Sequence, residues 1–423
     1  MTTTDLPRRL NLPGVEDPAC LRRKRGGVCP RARVARVVLS VAARRAGVEL
    51  LLPDGTPLGG GPATPGNPVI EILRQRDLLE RVAHDPKVGV GEAYMAGDWR
   101  PASGTDLAAV MLPFAERIES LLPTWLQRLR FAVDRRPPRT DNSPAGARQH
   151  IEAHYDLSND MFATFLDPSM SYSSARFERG RPLAEQDLHE AQLRKIDTVL
   201  DAAQVGHGTQ VLEIGTGWGA LAVRAAERGA HVVTVTLSRE QADLARERVT
   251  RAGVADRVSI RLQDYREVTG RYDAVVSVEM VEAVGEDYWP AYFRAIEDRL
   301  APDGVAAVQS ILMSHRRLLA SRRSYGWINK HVFPGGMIPS MEAIEAVTEA
   351  HTSLRVQTVE RFGADYAETL RRWRERFLSE WRSIEGGGFD AVFRRRWEFY
   401  LAFCEAGFAG GAIDVGLIRL ERS

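Results

Sequence analysis

From about residue 185 onward the chain alternates short apolar runs with stretches of helical spacing, and this rhythm limits its possible folds more than any other feature. TQVLEIG, HVVTVTL, VSIRLQD, YDAVVSVE and GVAAVQSIL read as buried strands. HEAQLRKIDTVLDAA, ALAVRAAERG and SREQADLARERVTRAG read as the helices between and before them, the last with Ser238 at its N-cap and Gln241 placed for a capping box. Strand–helix alternation of this length predicts an α/β fold with a doubly wound, mostly parallel sheet. Residues 34–133 differ: turns such as PDGTPLGGGPATPGN separate short apolar runs, and EILRQRDLLERVA and LAAVMLPFAERIESLLPTWLQRL have helical spacing. DRRPPRTDNSPAGARQ then reads as a linker. The expected organisation is a smaller α+β N-terminal domain over 1–133, a linker over 134–149 and the α/β domain over 150–423.

Charge and cysteine content narrow the setting. The 57 basic and 56 acidic residues nearly cancel, which argues against a nucleic-acid binder. Basic residues are nevertheless clustered, at Arg22–Arg25 with Arg31, Arg33 and Arg36, and again at Arg316, Arg317, Arg322 and Arg323. Such patches suit either an anionic membrane surface or a solvated helix face. Cys20, Cys29 and Cys404 make neither a disulfide framework nor a zinc set, which points to a reducing, cytoplasmic setting. No run approaches the roughly 20 apolar residues of a membrane span. His315 and His331 have no partner at metal-ligand spacing, so no metal is expected.

The stretch VLEIGTGWGA (Val211–Ala220) follows the first strand with glycines at 215, 217 and 219. It lacks the lysine of a phosphate loop and the spacing of a dinucleotide fingerprint. It looks instead like the E-x-G-x-G-x-G motif of class I methyltransferases, which bind S-adenosylmethionine on a Rossmann-like sheet. Glu213, Gly215, Gly217 and Gly219 are its candidate cofactor residues, the alternative being a tight strand-to-helix turn with no ligand. The second strand ends in Thr236, Leu237 and Ser238, with no acid for the ribose until Glu240, and Thr236 and Leu237 are the cofactor candidates there. SVEMVEAVG follows the fourth strand where amine methyltransferases often carry Asn- or Asp-Pro-Pro-Tyr, so amine methylation in that style is not expected.

Longer motifs carry a more specific resemblance. HYDLSNDMFATFLDPSMSYSSARFE (His154–Glu178), VTLSREQ, SVEMVEAVG, WINKHVFPGGMIPS (Trp327–Ser340) and FGADYAETL resemble the cyclopropane-fatty-acid synthase family in order and spacing. GEAYMAGDW (Gly91–Trp99) resembles the N-terminal domain of its longer, phospholipid-acting members. The resemblance implies methyl transfer from S-adenosylmethionine to the cis double bond of a phospholipid acyl chain, followed by loss of a proton from the resulting carbocation. In the family a bound bicarbonate removes that proton, held by Cys, Glu, His and Tyr. Carried over, those positions are Ser174, Glu282, Gln309 and Tyr366. Ser174 and Gln309 depart from the family pattern: both can hydrogen-bond an anion, but neither offers a thiol or a cation. Glu282 then either orients bicarbonate or replaces it as base.

An altered base suits a different product. If a hydride shifts to the first cation before deprotonation, loss of a methyl proton leaves an exocyclic methylene. A related actinobacterial branch makes such 10-methylene chains, which a flavin-dependent reductase converts to 10-methyl chains. The reading adopted is the methylene former; a cyclopropane synthase and a methyltransferase for a soluble small molecule are the alternatives. The family also implies peripheral contact with the inner face of the membrane, and a homodimer that no residue here signals. It further places Tyr172 and Ser173 at the cofactor pocket, Gln241 on the adenosine side, Asp264 and Tyr265 at the adenine and His154 near the reaction site. Each has a plainer reading: a turn for Tyr172 and Ser173, the capping box for Gln241, core packing for Tyr265 and a structural role for His154. Trp327, Phe333 and Met337 line an acyl channel on one reading and pack a core on the other.

Overall fold

The computed structural model describes residues 30–59, 66–121, 159–322 and 324–423. The linker, His154 and the basic residues before Pro30 lie outside them.

The N-terminal part contains helices α1 (Pro30–Ala46), α2 (Gln75–His84), α3 (Gly89–Ala96) and α4 (Leu107–Glu116) around strands β1 (Glu49–Leu51), β2 (Val69–Ile72) and β3 (Trp99–Pro101). β2 lies between a parallel β1 and an antiparallel β3. The stretch EILRQRDLLERVA is therefore helical only from Gln75, because Glu71 and Ile72 pair with Arg100 and Trp99. GEAYMAGDW forms most of α3, its left-handed Gly97 cap and the start of β3. Buried Asp98 accepts hydrogen bonds from Arg74 (2.7 Å) and Arg81 (3.0 Å), which fixes that corner.

The rest of the chain is the predicted α/β unit. Helices α5 (Asn159–Phe165) and α6 (Leu188–Ala202) precede strand β4 (Gln210–Ile214). Helix α7 (Ala220–Glu227) leads to β5 (His231–Thr236), and α8 (Arg239–Arg251) leads to β6 (Val258–Leu262). β7 (Tyr272–Val278) follows, then α9 (Val281–Val284), α10 (Trp289–Arg299) and β8 (Leu300–Leu312). The chain ends through α11 (His315–Ser321), α12 (Trp327–His331), α13 (Met341–His351), β9 (Leu354–Arg361), α14 (Gly363–Ser379), α15 (Trp381–Gly386), α16 (Ala391–Ala409) and β10 (Asp414–Arg422). The sheet order is β6-β5-β4-β7-β8-β10-β9, with only β10 antiparallel to its neighbours. β4 and β7 are nearly continuous apolar runs because helices cover both faces of the sheet. The order in which strands are added reverses between the parallel neighbours β4 and β7, and the loops leaving their C-terminal ends diverge into a crevice.

The N-terminal part docks on α14 and α16. A Cβ at Gly91 would fall 2.5 Å from the Trp327 ring and 2.9 Å from Phe399, so α3 must present a glycine there. Trp327 is accordingly buried against Phe399 in this contact, as core rather than channel wall. Phe333 packs edge-on against Tyr400, and Met337 is partly buried against the second core cluster. Arg374 of α14 donates to both oxygens of Asp106 (2.7 and 3.0 Å) and to Glu405 (2.9 Å). Removing one partner of a buried ion cluster leaves charge uncompensated. Arg374→Ala is expected to lower the unfolding free energy by about 3 kcal/mol, measured by urea denaturation.

Candidate active site

The glycine loop shapes the crevice from the β4 side. Gly215, Gly217 and Gly219 all have positive φ (95°, 50° and 88°), a region that side chains with a Cβ rarely adopt. A Cβ on Gly217 would meet no protein atom within 4 Å, whereas one on Gly219 would lie 3.0 Å from the Ala245 Cβ. Gly217 thus keeps space for a ligand, and Gly219 lets α7 pack closely on α8. The cavity beside this loop is lined by Tyr172, Ser173, Glu213, Gly215, Gly217, Thr236, Leu237, Gln241, Asp264 and Tyr265. Ten of the eleven cofactor candidates therefore meet around one space, and Gly219 stands behind it.

Local hydrogen bonding explains how several of these side chains are aimed. Ser238 Oγ accepts from the Gln241 N–H at 3.2 Å, so half of the capping box forms. The Ser238 N–H donates to Thr236 Oγ1, and Thr236 Oγ1 donates to Gln241 Oε1 at 3.0 Å, which leaves the Gln241 amide on the cavity side. Asp264 is buried and pinned by Nε and Nη2 of Arg266 (2.9 and 2.7 Å). Tyr265 both lines the cavity and packs edge-on against Tyr292. Glu213 is buried, and burial pushes its pKa up to about 8. These features fit S-adenosylmethionine: a cradle kept open by glycine, a buried acid and amide along its wall, and an aromatic and an aspartate at the far end.

Lys195 also lines this cavity, and sequence reasoning passed it over. Its Nζ donates to Ser173 Oγ at 2.8 Å, and burial brings its pKa down to about 8. The signal was present, because Lys195 falls on the apolar stripe of α6 with Leu188, Ala191 and Val199.

The proton-removal candidates meet at a residue that was not among them. Glu279, just beyond β7, is partly buried and lines the cavity. Its carboxylate accepts from the Ser174 N–H (2.9 Å), Gln309 Nε2 (2.9 Å) and the Tyr366 hydroxyl (2.7 Å). Ser174 contributes its backbone, since its hydroxyl donates to the Ala175 carbonyl. Burial and the Glu279 charge hold the Tyr366 pKa well above its ordinary value, so the phenol stays a donor. Glu282 is turned away from this group: its Oε1 accepts from the Ile311 N–H and from Ser310 Oγ (3.0 Å). Its Oε2 has no hydrogen-bond partner among the described residues.

The comparisons with known proteins agree with this geometry. The family model for mycolic acid cyclopropane synthetase matches residues 142–418. The chain belongs to this family. It is 47% identical over 403 residues to tuberculostearic acid methyltransferase UfaA1 of Mycobacterium tuberculosis, covering 94% of this chain and 93% of that protein. It is 33% identical over 353 residues to the cyclopropane-fatty-acyl-phospholipid synthase of Escherichia coli K12, covering 83% and 87%. Among solved structures, mycolic acid cyclopropane synthase CmaA1 with S-adenosylhomocysteine and CTAB superposes with a TM-score of 0.60 at 29% identity, over 68% of this chain and 99% of that one. The protein is a class I, S-adenosylmethionine-dependent methyltransferase.

Family membership sharpens the reading of the Glu279 cluster. Three of the four positions that hold bicarbonate in the family spend a donor on a carboxylate belonging to this chain. An added anion there would lie beside two partly buried acids, Glu279 and Glu282, whose charges already oppose one another. The residues present do not fit bicarbonate.

Two predictions follow from the site. Gly217→Val should weaken S-adenosylmethionine binding by about tenfold or more in calorimetric titration, by filling the space the glycine leaves open. The second concerns Glu282, whose pKa is pushed from 4.5 up to about 8, first by burial and then by the Glu279 charge. Between those values Glu282 is protonated when folded and ionised when unfolded, so its contribution makes stability fall as pH rises. Glu282→Gln removes that titration and keeps the carbonyl facing Ile311 and Ser310. The fall in unfolding free energy between about pH 5 and pH 8 should therefore be shallower than in the wild type, measured by urea melts across that range.

Proposed function

We propose that the protein transfers a methyl group from S-adenosylmethionine to the cis double bond of an unsaturated phospholipid acyl chain and releases a 10-methylene chain, the precursor of a methyl-branched one. The carrying observation is that the cofactor cavity is lined by a partly buried carboxylate, Glu279, which accepts hydrogen bonds from Ser174, Gln309 and Tyr366. An alkene needs no base to attack an electrophilic methyl, but the cation that results must lose a proton. A site with a proton acceptor beside the methyl suits that order of events.

The cofactor would supply the electrophilic methyl. Gly215 and Gly217 admit it, while Gln241, Asp264 and Tyr265 hold its adenosine end. Tyr172, whose hydroxyl lies 2.9 Å from that of Tyr400, and Trp373 stacked on its ring make an aromatic wall that keeps water from a cation. The 47% identity to a tuberculostearic acid methyltransferase supports the methylene product, since tuberculostearic acid is a methyl-branched acid. A flavin-dependent reductase then consumes the product. The likeness to the Escherichia coli synthase keeps cyclopropane formation as the second reading.

Membrane contact is assigned to α1. Its outer face carries Arg31, Arg33 and Arg36 with exposed Val34 and Val37, and its first turn contains no acid. Basic and apolar side chains on one helix face suit an anionic lipid surface. The second basic cluster is less suited, because Arg316 pairs with Glu119 and Arg322 with Glu286. Among the described residues no helix is long and apolar enough to cross a membrane.

The test is expression in a bacterial host that makes unsaturated phospholipids, followed by mass analysis of its fatty acids. One added carbon is expected, in a chain that mild hydrogenation converts to a methyl branch. An added carbon that resists hydrogenation would mark a cyclopropane synthase, and no added carbon would favour a soluble acceptor.

A further inference from the structure

Glu279 is the residue that the rest of the site leaves without a structural explanation. It is one of three non-glycine residues with positive φ among those described, at 53°. A side chain in the left-handed region is strained and persists only where surrounding contacts impose it. The contacts here are specific. The Glu279 N–H donates to the Gln309 carbonyl at 2.8 Å, and the three donors described above converge on its carboxylate. They come from the segment before α6, from β8 and from α14, three regions far apart in sequence. The strained backbone thus places one carboxylate at the floor of the cofactor cavity, where a fold of this kind has no packing need for an acid.

We propose that the Glu279 carboxylate is the base that removes the proton from the transferred methyl group, standing where relatives in this family hold bicarbonate. The proposal rests on the methyl transfer to an alkene inferred above, and it holds whichever product forms. The π pair of the double bond forms the new C–C bond as the C–S bond breaks, and S-adenosylhomocysteine leaves with the C–S electron pair on its sulfur. In the methylene route a hydride then moves with its electrons to the adjacent cation, leaving the positive charge on the methyl-bearing carbon. Glu279 takes a methyl proton, and the C–H pair becomes the exocyclic double bond. In the cyclopropane route the same proton leaves without the hydride shift and the pair closes the ring. The carboxyl releases its proton to solvent after the product departs.

The neighbouring groups divide the labour between the two acids. Burial raises the Glu279 pKa above the ordinary carboxylate value, which suits a base, while the Ser174 N–H, Tyr366, Gln309 and the Lys195 charge oppose that rise by favouring its ionised form. Glu282 has one unpartnered oxygen and the Glu279 charge beside it, so it is the member of the pair that stays protonated. This division makes Glu279 the acceptor and Glu282 a neutral support for β8.

The experiment uses the full chain, vesicles of an oleoyl phospholipid and buffer stripped of carbon dioxide. Turnover is followed by S-adenosylhomocysteine release, and bicarbonate binding by line broadening of 13C-labelled bicarbonate. The wild type is expected to turn over equally with and without added bicarbonate and to leave its signal sharp. Glu279→Gln should slow turnover by about 10²–10⁴-fold, the usual worth of a positioned base, with S-adenosylhomocysteine affinity retained. Glu279→Gly should open the cradle, broaden the bicarbonate signal and regain about tenfold or more of the lost rate when bicarbonate is added. Bicarbonate binding or acceleration in the wild type would overturn the proposal, as would a Glu279→Gln enzyme within about threefold of wild-type rate. The wild-type binding measurement needs neither a variant nor a lipid substrate. If no lipid is methylated the reading of function falls, while bicarbonate binding still decides whether Glu279 fills the cradle.

Discussion

The hydrogen bonds onto the Glu279 carboxylate join parts of the chain that have no other reason to meet at one point. Ser174 comes from the loop between α5 and α6, Gln309 from the middle of the sheet and Tyr366 from the first turn of α14. Each bond to a buried charge is worth about 1.5–3 kcal/mol, which together exceeds the cost of the left-handed backbone at Glu279. The same loop is held from two further directions. The Ala175 N–H donates to Thr369 Oγ1, and Gln192 Nε2 donates to the Ser173 carbonyl at 2.9 Å. The loop that lines the cofactor cavity and the helix that carries Tyr366 are therefore positioned by one network.

That network explains why a methyltransferase core carries an N-terminal part packed against its last helices. Arg374 lies two turns beyond Tyr366 on α14, and its guanidinium reaches Asp106 at the N-cap of α4. α16 packs along α14 on one side and against α3 and α4 on the other, with Gly91, Trp327 and Phe399 at the contact. The motif GEAYMAGDW is thus a docking surface as well as a turn, and the helix bearing Tyr366 is tied to the N-terminal part through Arg374 and through α16. Phe408 supports the Tyr366 ring at 4.3 Å from the same α16. A base site exposed to a carbocation gains from such rigidity, since a small displacement of the acceptor would lengthen the proton transfer.

Much of this was legible in the sequence because it depends on local periodicity. The five strands of the predicted alternation and the helices between them appear where apolar spacing put them, and the glycine loop lies at the crevice the strand order creates. The antiparallel β10 and its partner β9 were not read, since LRVQTVER and DVGLIRLER alternate too little to announce the pairing that closes one edge of the sheet. The cofactor wall was largely legible through motif spacing, whereas Glu279 was not. SVEMVEAVG contains two acids three residues apart, and the resemblance pointed to the second. The first became visible only through its positive φ and through donors more than 29 residues away in sequence. Ser174 and Gln309 were informative in a different way: neither offers a cation to a free anion, and both donate to a carboxylate already fixed in place.

The anion at the centre of this network belongs either to the chain or to the solvent. A crystal structure of the full protein with S-adenosylhomocysteine, grown in bicarbonate buffer, tests that most directly. Continuous density from the Glu279 backbone to a carboxylate touching the Ser174 N–H, Gln309 and Tyr366 is the predicted result. A separate planar anion between those three donors, with the Glu279 side chain displaced from them, would contradict it.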